Sequence, residues 1–324
     1  MSILPSPADV RAAAARIAPT VKRTPFWRSE TLSSFLGGDV WLKLECEQVT
    51  GSFKIRGATN VLAQFSELQR QRGVVASSAG NHGLGIASAA AALGIHATVF
   101  VPRTAPAVKR DKIIALGATL DAGAADYDAA ELLARAHAER TGATFVSPCT
   151  GRELLAGQGT VALEVLEDLP ALATMVVAVG GGGLVGGVGG MLRGEAPAVR
   201  IIGAQSERTN AMALALRSGT PTGIPDRPTL ADGLSGLVDA EMLAQALAAI
   251  DEMVVVREAD IASAIAYLWI EEGVKVEGAG AVGVAALIGG MMPRIEFPAV
   301  VVVSGGNIDA AVHAEILAGH SIDR

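Results

Sequence analysis

The sequence predicts an α/β protein in which parallel sheets carry helices on both faces. Short apolar runs alternate with longer stretches of helical periodicity along most of the chain, which is the pattern of parallel strands joined by crossover helices. Half of the residues are apolar, only 4% are aromatic and 38 are glycine, a composition typical of strand and helix layers with many tight turns. The length of 324 residues predicts two domains, or two lobes that share one core.

The elements follow from the pattern in chain order. Ser6–Ala18 predicts an amphipathic helix capped by Ser6 and stopped by Pro19, and an extended connector follows at Arg23–Pro25, because a residue before proline avoids helical geometry. Strands are predicted at Val40–Leu44, Gly73–Ser77, Ala97–Val101, Thr119–Ala122, Thr144–Val146, Met175–Val179, Arg200–Ala204, Glu252–Val256 and Ala299–Val303. Helices fill the gaps, notably at Asn81–Leu93, Ala105–Leu116, Tyr127–Glu139, Gly157–Glu167, Asp260–Glu271 and Ala279–Gly290. Pro221–Pro228 predicts an irregular, exposed loop.

Charge and cysteine content exclude several classes of protein. The net charge of −7 without a long basic run argues against a nucleic-acid partner. Cys46 and Cys149 are too few and too far apart for a disulfide framework or a zinc cluster, and no metal site is predicted. Met1–Pro5 lacks the pattern of a secretory signal, and the glycines within the uncharged segment Ala171–Leu192 favour a strand, a turn and a helix over a membrane span. We expect a soluble, reduced, cytoplasmic protein with a small-molecule ligand.

Lys54 is the first candidate for chemistry. It lies in Thr50–Ala58, between an apolar strand and a helix-like run that begins near Arg56. Burial disfavours the charged form of lysine, and a desolvated, neutral amine can form a Schiff base with an aldehyde. Alternatively, Lys54 extends to solvent at the helix N-terminus. This stretch alone leaves both interpretations open.

A loop of four glycines, Gly180–Gly183, is the second candidate. It follows an apolar strand and precedes a helix, so its backbone N–H groups favour a phosphate. Close packing of strand on helix is the alternative, although it needs only one or two glycines. Gly181, Gly183 and Gly186 also satisfy the dinucleotide pattern G-x-G-x-x-G, with Glu207 near the distance of a ribose-binding acid. No P-loop lysine follows, which excludes a Walker nucleotide site.

Two further strand ends carry polar residues. At Ser77–Gly83, backbone N–H groups and hydroxyls suit a carboxylate, although Asn81 also suits a helix cap and His82 suits a structural hydrogen bond. Ser304–Asn307 ends a buried strand, where α/β proteins place ligand contacts, unless it is a plain turn.

Five motifs in order resemble one known family. They are Gly51–Ala58, Ser78–His82, Ala156–Thr160, the four-glycine loop and Ser304–Asn307. Together they are similar to the serine/threonine dehydratase family of fold-type-II pyridoxal-phosphate enzymes, which includes serine racemase. The resemblance extends from Thr24 to Asn307 and implies a two-lobed, tryptophan synthase β-like fold and a homodimer. The large cofactor-binding domain would comprise residues 1–72 and 148–324, and a small, mobile substrate-binding domain residues 73–147.

The resemblance also implies the cofactor, pyridoxal 5'-phosphate, and a role for each motif. Lys54 would hold the cofactor covalently and then act as the base at the substrate α-carbon. Ser304 would face the pyridine nitrogen, where a hydroxyl leaves that nitrogen largely unprotonated and so favours β-elimination. The other cofactor contacts would be Phe53, Asn81, Gly180, Gly181, Gly182, Gly183, Leu184 and Glu277. The substrate carboxylate would bind at Ser78, Ala79, Gly80, Asn81 and His82.

Departures from the family pattern refine these expectations. Ala79 replaces the second proton-transfer serine of the racemases, which favours a dehydratase. Gln205 and Ala211, with Thr209 between them, stand at the positions of the racemases' divalent-cation ligands, so no cation site is predicted there. Cys149 stands where relatives often have asparagine or phenylalanine, which leaves the side-chain pocket undefined. The chain is too short for the regulatory domain of biosynthetic threonine dehydratases, so we expect no isoleucine feedback.

The sequence therefore predicts an ammonia-lyase that eliminates water from a β-hydroxy amino acid of the L-threonine or L-serine type. A racemase and a dehydratase of an unusual substrate, such as 3-hydroxyaspartate or a β-aryl serine, are alternatives within the same cofactor class. A dinucleotide-dependent oxidoreductase built on Gly181, Gly183 and Gly186 is a remote alternative that leaves Lys54 and Ser304 unexplained. A non-catalytic protein that keeps the cofactor fold is a further one.

Overall fold

Two sheets organise the molecule in the computed structural model, which describes residues 3–105, 107–225, 227–292 and 294–319. The strands are β1 Phe26–Arg28, β2 Val40–Leu44, β3 Val74–Ser77, β4 Ala97–Pro102, β5 Thr119–Ala124, β6 Thr144–Phe145, β7 Thr174–Ala178, β8 Arg200–Ser206, β9 Glu252–Val256 and β10 Ala299–Val303. The first helices are α1 Pro7–Ile17, α2 Glu30–Leu36, α3 Lys54–Leu62, α4 Glu67–Arg72, α5 Asn81–Leu93, α6 Ala107–Ala115 and α7 Tyr127–Thr141. The others are α8 Arg152–Asp168, α9 Gly183–Glu195, α10 Ala211–Ser218, α11 Ala240–Ala249, α12 Glu258–Ile270, α13 Gly278–Ile288 and α14 Ala310–Leu317, with 3-10 turns at Glu45–Glu47 and Asp232–Leu234.

The larger sheet has six strands in the order β1-β2-β10-β7-β8-β9. β1 is antiparallel to β2, and the remaining neighbours are parallel. β10 lies between β2 and β7, so the carboxyl ends of these three strands meet at one edge of the sheet. The segments that follow them carry Lys54, Ser304 and the four-glycine loop, and this topology brings three motifs together.

The smaller sheet has four parallel strands in the order β5-β4-β3-β6. Its apolar core includes Val74, Val99 and Ile86, and it is joined by Ala58 and Leu62 of α3. Helix α3 thus contributes to the core of the smaller sheet, although Lys54 at its first residue lies at the edge of the larger one. The two lobes share this helix.

The predicted fold class is confirmed, and each predicted strand is observed with bounds that shift by at most two residues. Ser6 caps α1 as predicted, because its hydroxyl accepts from the Asp9 amide and the Asp9 carboxylate accepts from the Ser6 amide. The uncharged segment Ala171–Leu192 forms β7, a turn and part of α9. Among the described residues, no helix combines the length and the apolarity that a membrane crossing requires.

One strand was not predicted, and one helix was predicted too short. β1 lies outside the predicted strands, because its three residues carry no alternation of their own and their pairing with β2 is tertiary. Helix α8 begins at Arg152, five residues before the predicted Gly157. Gly151 with φ +104° marks its true start, and the glycines inside the helix, which lower helix propensity, concealed it.

Candidate active site

Lys54 is the first residue of α3, and its half-buried amine projects into the junction of the two lobes. Nζ donates to the carbonyl of Pro148 at 2.9 Å and lies 5.1 Å from the centroid of the Phe53 ring. The amide of Phe53 donates to the carbonyl of Ser304 at 3.2 Å, which joins the start of α3 to the end of β10. The lysine is therefore fixed at both its backbone and its amine.

The four-glycine loop connects β7 to α9 as bare backbone. Gly182 has φ +87°, in the left-handed region that favours glycine. A Cβ added to Gly181 would lie 2.6 Å from Cys149 Sγ, and one added to Gly180 would lie 3.1 Å from the Cα of Leu234. Among the described residues no side chain caps α9, so its first N–H groups are available to an anion.

Cys149 connects this loop to the lysine. Its thiol contacts the loop at Gly181, and the preceding residue, Pro148, accepts the hydrogen bond from the Lys54 amine. The segment of two residues thus lies between the amine and the loop. The sequence showed that Cys149 stands near the pocket, whereas the acceptor is a backbone carbonyl that no motif reveals.

Asn81 and Glu277 meet across the lobes. Asn81 is the first residue of α5, and its Nδ2 donates to Glu277 Oε1 at 2.6 Å. Asn81 Oδ1 accepts from Asn307 Nδ2 at 2.7 Å, and the same nitrogen donates to the carbonyl of Thr50 at 2.8 Å. The network fixes the orientation of the Asn81 amide, a role of Asn307 that the sequence did not indicate.

Glu277 is the buried acid of the site. Burial first, and then the negative charge of Asp232, raise the pKa of Glu277 to about 7, against the opposing effect of the Asn81 hydrogen bond. Asp232 itself pairs with Lys109 of α6 at 2.8 Å. This ion pair also joins the two lobes, close to Glu277. It was not predicted, because the two residues lie far apart in the chain.

The predicted carboxylate loop precedes α5 in the smaller lobe. Ser78 Oγ accepts from the amide of Gly80, and Gly80 is the N-cap residue of the helix. Ala79 is fully buried. His82 is buried as well, with Nε2 3.0 Å from the carbonyl of Val146. Burial, and then the charge of Lys54, lower the pKa of His82 to about 3, so the ring is neutral and carries one N–H. Because a carbonyl oxygen only accepts, that N–H is on Nε2 and faces Val146, and any bond from this residue to a carboxylate comes from its backbone N–H.

Ser304 directly follows β10 and is almost fully buried. Its hydroxyl donates to the carbonyl of Ala279 at 3.3 Å, a long bond that leaves the hydrogen free to rotate toward a better acceptor. Glu207, the predicted ribose-binding acid of the dinucleotide alternative, instead accepts from the amide of Glu258 at 3.2 Å, at the start of α12. Gln205 Oε1 similarly accepts from the amide of Ala213 at 2.9 Å.

These groups fit pyridoxal 5'-phosphate. An amine at the first turn of α3 suits the aldehyde, and the uncapped N-terminus of α9 with its bare glycine loop suits the phosphate, because the glycines carry no side chains that would cover the backbone N–H groups of the loop. A neutral hydroxyl at Ser304 suits a ring nitrogen. No group of His, Cys, Asp and Glu side chains that could hold a metal ion occurs within the described part of the chain.

Comparisons with known proteins agree with this fit. Residues 17–306 match the family model described as "Pyridoxal-phosphate dependent enzyme". The chain is 44% identical to the L-threonine ammonia-lyase of Thermotoga maritima over 302 residues, which cover 93% of this chain and 75% of that protein. Its structure is similar to that of maize serine racemase, with a TM-score of 0.91, 32% identity and 98% of both chains covered. It is also similar to the processed form of threonine deaminase isoform 2 from Solanum lycopersicum, with a TM-score of 0.90, 31% identity, and 96% of this chain and 87% of that chain covered.

Proposed function

Because the chain belongs to the family of pyridoxal-phosphate-dependent enzymes, we propose that it is an ammonia-lyase that converts a β-hydroxy amino acid of the L-threonine or L-serine type to a 2-oxo acid and ammonia. The observation that carries the proposal is the convergence of an amine, Lys54, an anion-binding loop, Gly180–Leu184, and a neutral hydroxyl, Ser304, at one junction of the lobes. The names of the similar L-threonine ammonia-lyase and threonine deaminase support the substrate class.

Pyridoxal phosphate, when bound, supplies an electron-withdrawing ring that acidifies the α-C–H bond of an attached amino acid. Lys54 would hold it covalently and, once the substrate amine has taken its place, would accept the α-proton at Nζ. The carbonyl of Pro148 orients that amine. The Ser304 hydroxyl would offer a neutral partner to the ring nitrogen, which favours β-elimination over reactions that need a long-lived carbanion. The α-proton and the β-hydroxyl together make up the water that is lost. The released enamine hydrolyses to the 2-oxo acid and ammonia.

The substrate carboxylate binds in this proposal at the start of α5. The backbone N–H groups of Asn81 and His82 lie at the N-terminus of a 13-residue helix, which favours an anion. The hydroxyl of Ser78 lies in the same turn. The smaller lobe, residues 73–147, moves over the bound substrate in this proposal and excludes water.

A racemase is the second candidate, because of the structural similarity to maize serine racemase. The fully buried methyl group of Ala79 cannot deliver a proton to the α-carbon, and this favours elimination over racemisation. Analysis of the chirality of serine recovered from a reaction separates the two activities: a dehydratase leaves the L-isomer unchanged, whereas a racemase produces D-serine.

We further propose a homodimer that resides in the cytoplasm. Two large apolar side chains, Phe35 of α2 and Ile270 of α12, are 65% and 69% exposed, and these helices meet where the hydroxyl of Thr31 donates to Glu271 at 3.5 Å. Such a surface suits a second copy of the chain. Both cysteines are free thiols, which suits a reducing compartment. Sedimentation equilibrium tests the dimer, which a mass of one chain at micromolar concentration would exclude.

The experiment that tests the function is an absorption titration of the purified enzyme with L-threonine and then L-serine, with 2-oxo acid measured in parallel. We expect a visible cofactor band that changes on addition, together with 2-oxo acid. If the band is present but changes with neither amino acid, the proposed substrate is contradicted, whereas binding of the cofactor is still supported. In that case 3-hydroxyaspartate and a β-aryl serine are the next substrates to test.

A further inference from the structure

Helix α8 carries the motif Ala156–Thr160, which makes none of the cofactor contacts proposed above. Gly157 and Gly159 are two positions apart, so they point to nearly opposite sides of the helix. Gly157 lies against α3, which begins with Lys54, and Gly159 lies against α9, which begins at the glycine loop. One helix therefore separates the two elements that hold the ends of the cofactor.

On the side of α3 the contact is backbone to backbone. A Cβ added to Gly157 would lie 2.6 Å from the carbonyl oxygen of Arg56 and 2.7 Å from the Cα of Gly57. Real Cβ atoms do not approach backbone atoms so closely, and neither neighbour is the flexible end of a side chain. A methyl group at this position must push α3 away from α8.

On the side of α9 the contact is equally close. A Cβ added to Gly159 would lie 2.7 Å from the carbonyl oxygen of Gly187, and one added to Gly187 would lie 2.6 Å from the amide nitrogen of Gly159. Gly187 is on α9, one turn after the glycine loop. The separation of α8 and α9 is thus also set by glycine contacts.

Two polar side chains of the same motif bind the first turn of α3. This helix has no side-chain cap of its own, and the amide of Gly57 donates to Gln158 Oε1 at 3.2 Å. Gln158 is fully buried. Arg56 Nη1 donates to the hydroxyl of Thr160 at 3.0 Å. Helix α8 therefore supplies the cap that α3 lacks.

A buried ion cluster holds the same turn from the other sides. The guanidinium of Arg56 binds both oxygens of Glu45 at 2.7 and 2.8 Å and both oxygens of Glu164 at 2.6 and 3.0 Å. Lys43 Nζ lies 2.6 Å from Glu164, so two positive charges balance two negative ones. Burial alone would lower the pKa of Arg56, but the two carboxylates hold it above its usual value. Rotation of α3 would break these pairs.

We propose that α8 is a spacer helix that fixes the distance between the Lys54 amine and the phosphate-binding loop, with Gly157, Gln158 and Gly159 as positioning residues. The proposal rests on the assignment of Lys54 and Gly180–Leu184 as the two attachment points of the cofactor. A ligand that is joined covalently at one end and held by its phosphate at the other binds most tightly when the protein already holds the two attachment points at the right distance. If one attachment point is displaced, the ligand cannot reach both in their best geometry.

The test compares two ligands on the full-length enzyme. Pyridoxal phosphate uses both attachment points, whereas pyridoxine 5'-phosphate has the same ring and phosphate but no aldehyde, and uses the loop alone. We expect Gly157→Ala and Gln158→Met to raise the Kd of pyridoxal phosphate by about tenfold, or ~1.4 kcal/mol, with the Kd of pyridoxine 5'-phosphate changed by less than about twofold. We expect Gly159→Ala, which displaces the loop, to weaken both ligands.

Gly283→Ala in α13 is the matched control, because its added Cβ would lie 2.7 Å from Val301 Cγ1, in the core of the same lobe but away from α8. We expect it to change neither Kd. Gln158→Met keeps the length of the side chain and introduces no backbone clash, so it still tests the proposal if Gly157→Ala fails to fold. Wild-type affinity for pyridoxal phosphate in both α3-side variants, or an equal loss for the two ligands, overturns the proposal.

Borohydride reduction of the wild-type holoenzyme, followed by peptide mass spectrometry, distinguishes failure of the spacer from failure of the site assignment. If the cofactor is attached at Lys54 and the Kd of pyridoxal phosphate is unchanged in the variants, the spacer role of α8 is overturned and the site assignment stands. Attachment at another residue overturns the site and, with it, the spacer. If the enzyme does not turn over threonine, the proposed substrate is contradicted, but the results on cofactor attachment and cofactor affinity are unaffected.

Discussion

The amine of Lys54 depends on a backbone carbonyl, that of Pro148, for its orientation. We expect Lys54→Ala to lower kcat for L-threonine by more than about a thousandfold, because the variant lacks both the covalent attachment and the base. Formation of 2-oxo acid measures this loss. Lys112→Ala, which removes an exposed lysine of α6, is the control and keeps wild-type turnover. Near-normal turnover of Lys54→Ala would show that the base lies elsewhere.

The raised pKa of Glu277 predicts a specific dependence of stability on pH. The carboxyl ionises near 4.5 in the unfolded chain and near 7 in the folded one, so the folded state binds more protons between these values. The free energy of unfolding therefore falls as pH rises from about 4.5 to 7 and then levels, by an amount on the order of 3 kcal/mol. We expect Glu277→Gln to remove this loss.

Urea unfolding of wild type and Glu277→Gln at pH 5 and pH 8 checks this. The variant should gain stability over wild type at pH 8, with little difference at pH 5. The lowered pKa of His82, the consequence first of burial and then of the Lys54 charge, has the opposite effect: its contribution is lost as pH falls below about 6.5. Because His82 contributes equally in both proteins, the difference in their free energies of unfolding reports on Glu277 alone. Equal pH slopes contradict the assignment.

Single residues show where sequence inference ended. Lys54, Asn81 and Ser304 lie in motifs whose residue types carry their chemistry, and the structure brings them to one junction. The residues that orient these side chains, Pro148 and Asn307, could not be assigned that role from their residue types. Pro148 acts through its carbonyl, and Asn307 acts on Asn81 from 226 positions away, so neither contact leaves a local pattern in the chain.

Among the elements, the turn between β7 and α9 is the one whose backbone conformation most clearly requires glycine. Gly182 has φ +87°, a conformation that costs an L-residue about 1–2 kcal/mol. We expect Gly182→Ala to rotate the backbone N–H groups of the loop and to raise the Kd of pyridoxal phosphate by about tenfold. Equilibrium titration of the cofactor absorption measures this change.

Gly219→Ala provides the control for that prediction. Gly219 ends α10 with φ +69°, and no atom lies within 4 Å of its added Cβ. The variant therefore introduces the same kind of backbone strain away from the site. Both variants should lose similar stability, and only Gly182→Ala should lose cofactor affinity. Equal cofactor affinity in the two would mean that the loop does not hold the phosphate.

Elements with strong periodicity were predicted well, and those shaped by tertiary contacts were not. β10 has the predicted bounds because a continuous apolar run marks a buried parallel strand. α8 was predicted too short, since glycine is a poor helix former and two glycines seemed to mark its start. Their place in the middle of the helix follows from the contacts with α3 and α9, which involve segments about 100 and 30 positions away and override propensity.

For the whole molecule, the order of strands and helices was sufficient to predict two parallel sheets, but not how the lobes are joined. Leu62 and Phe65, which precede the proposed boundary at residue 72, pack in the core of the smaller sheet. Polar contacts also cross between the lobes, at Asn81 with Glu277 and at Lys109 with Asp232. Pairings of this kind depend on the final arrangement of the lobes, which no stretch of sequence encodes by itself.

The Lys109–Asp232 ion pair predicts a measurable effect on closure of the smaller lobe. Lys109 lies on α6 of that lobe and Asp232 in the 3-10 turn of the larger one, with a separation of 2.8 Å. Because both side chains are partly exposed, the pair is worth about 0–1 kcal/mol. We expect Lys109→Asp to raise KM for L-threonine up to about fivefold with a smaller change in kcat, since the closed state becomes less populated.

A charge exchange separates a contact between lobes from a general effect of charge. Lys109→Asp combined with Asp232→Lys restores the attraction with its polarity reversed. The KM of the double variant should therefore fall most of the way back to the wild-type value. The same exchange at Arg135 and Glu131, which pair at 2.7 Å within α7, lies inside one lobe and should leave KM unchanged. If the double variant at the lobe junction were no better than Lys109→Asp alone, the two residues would act on the substrate through their individual charges, and closure would not depend on their pairing.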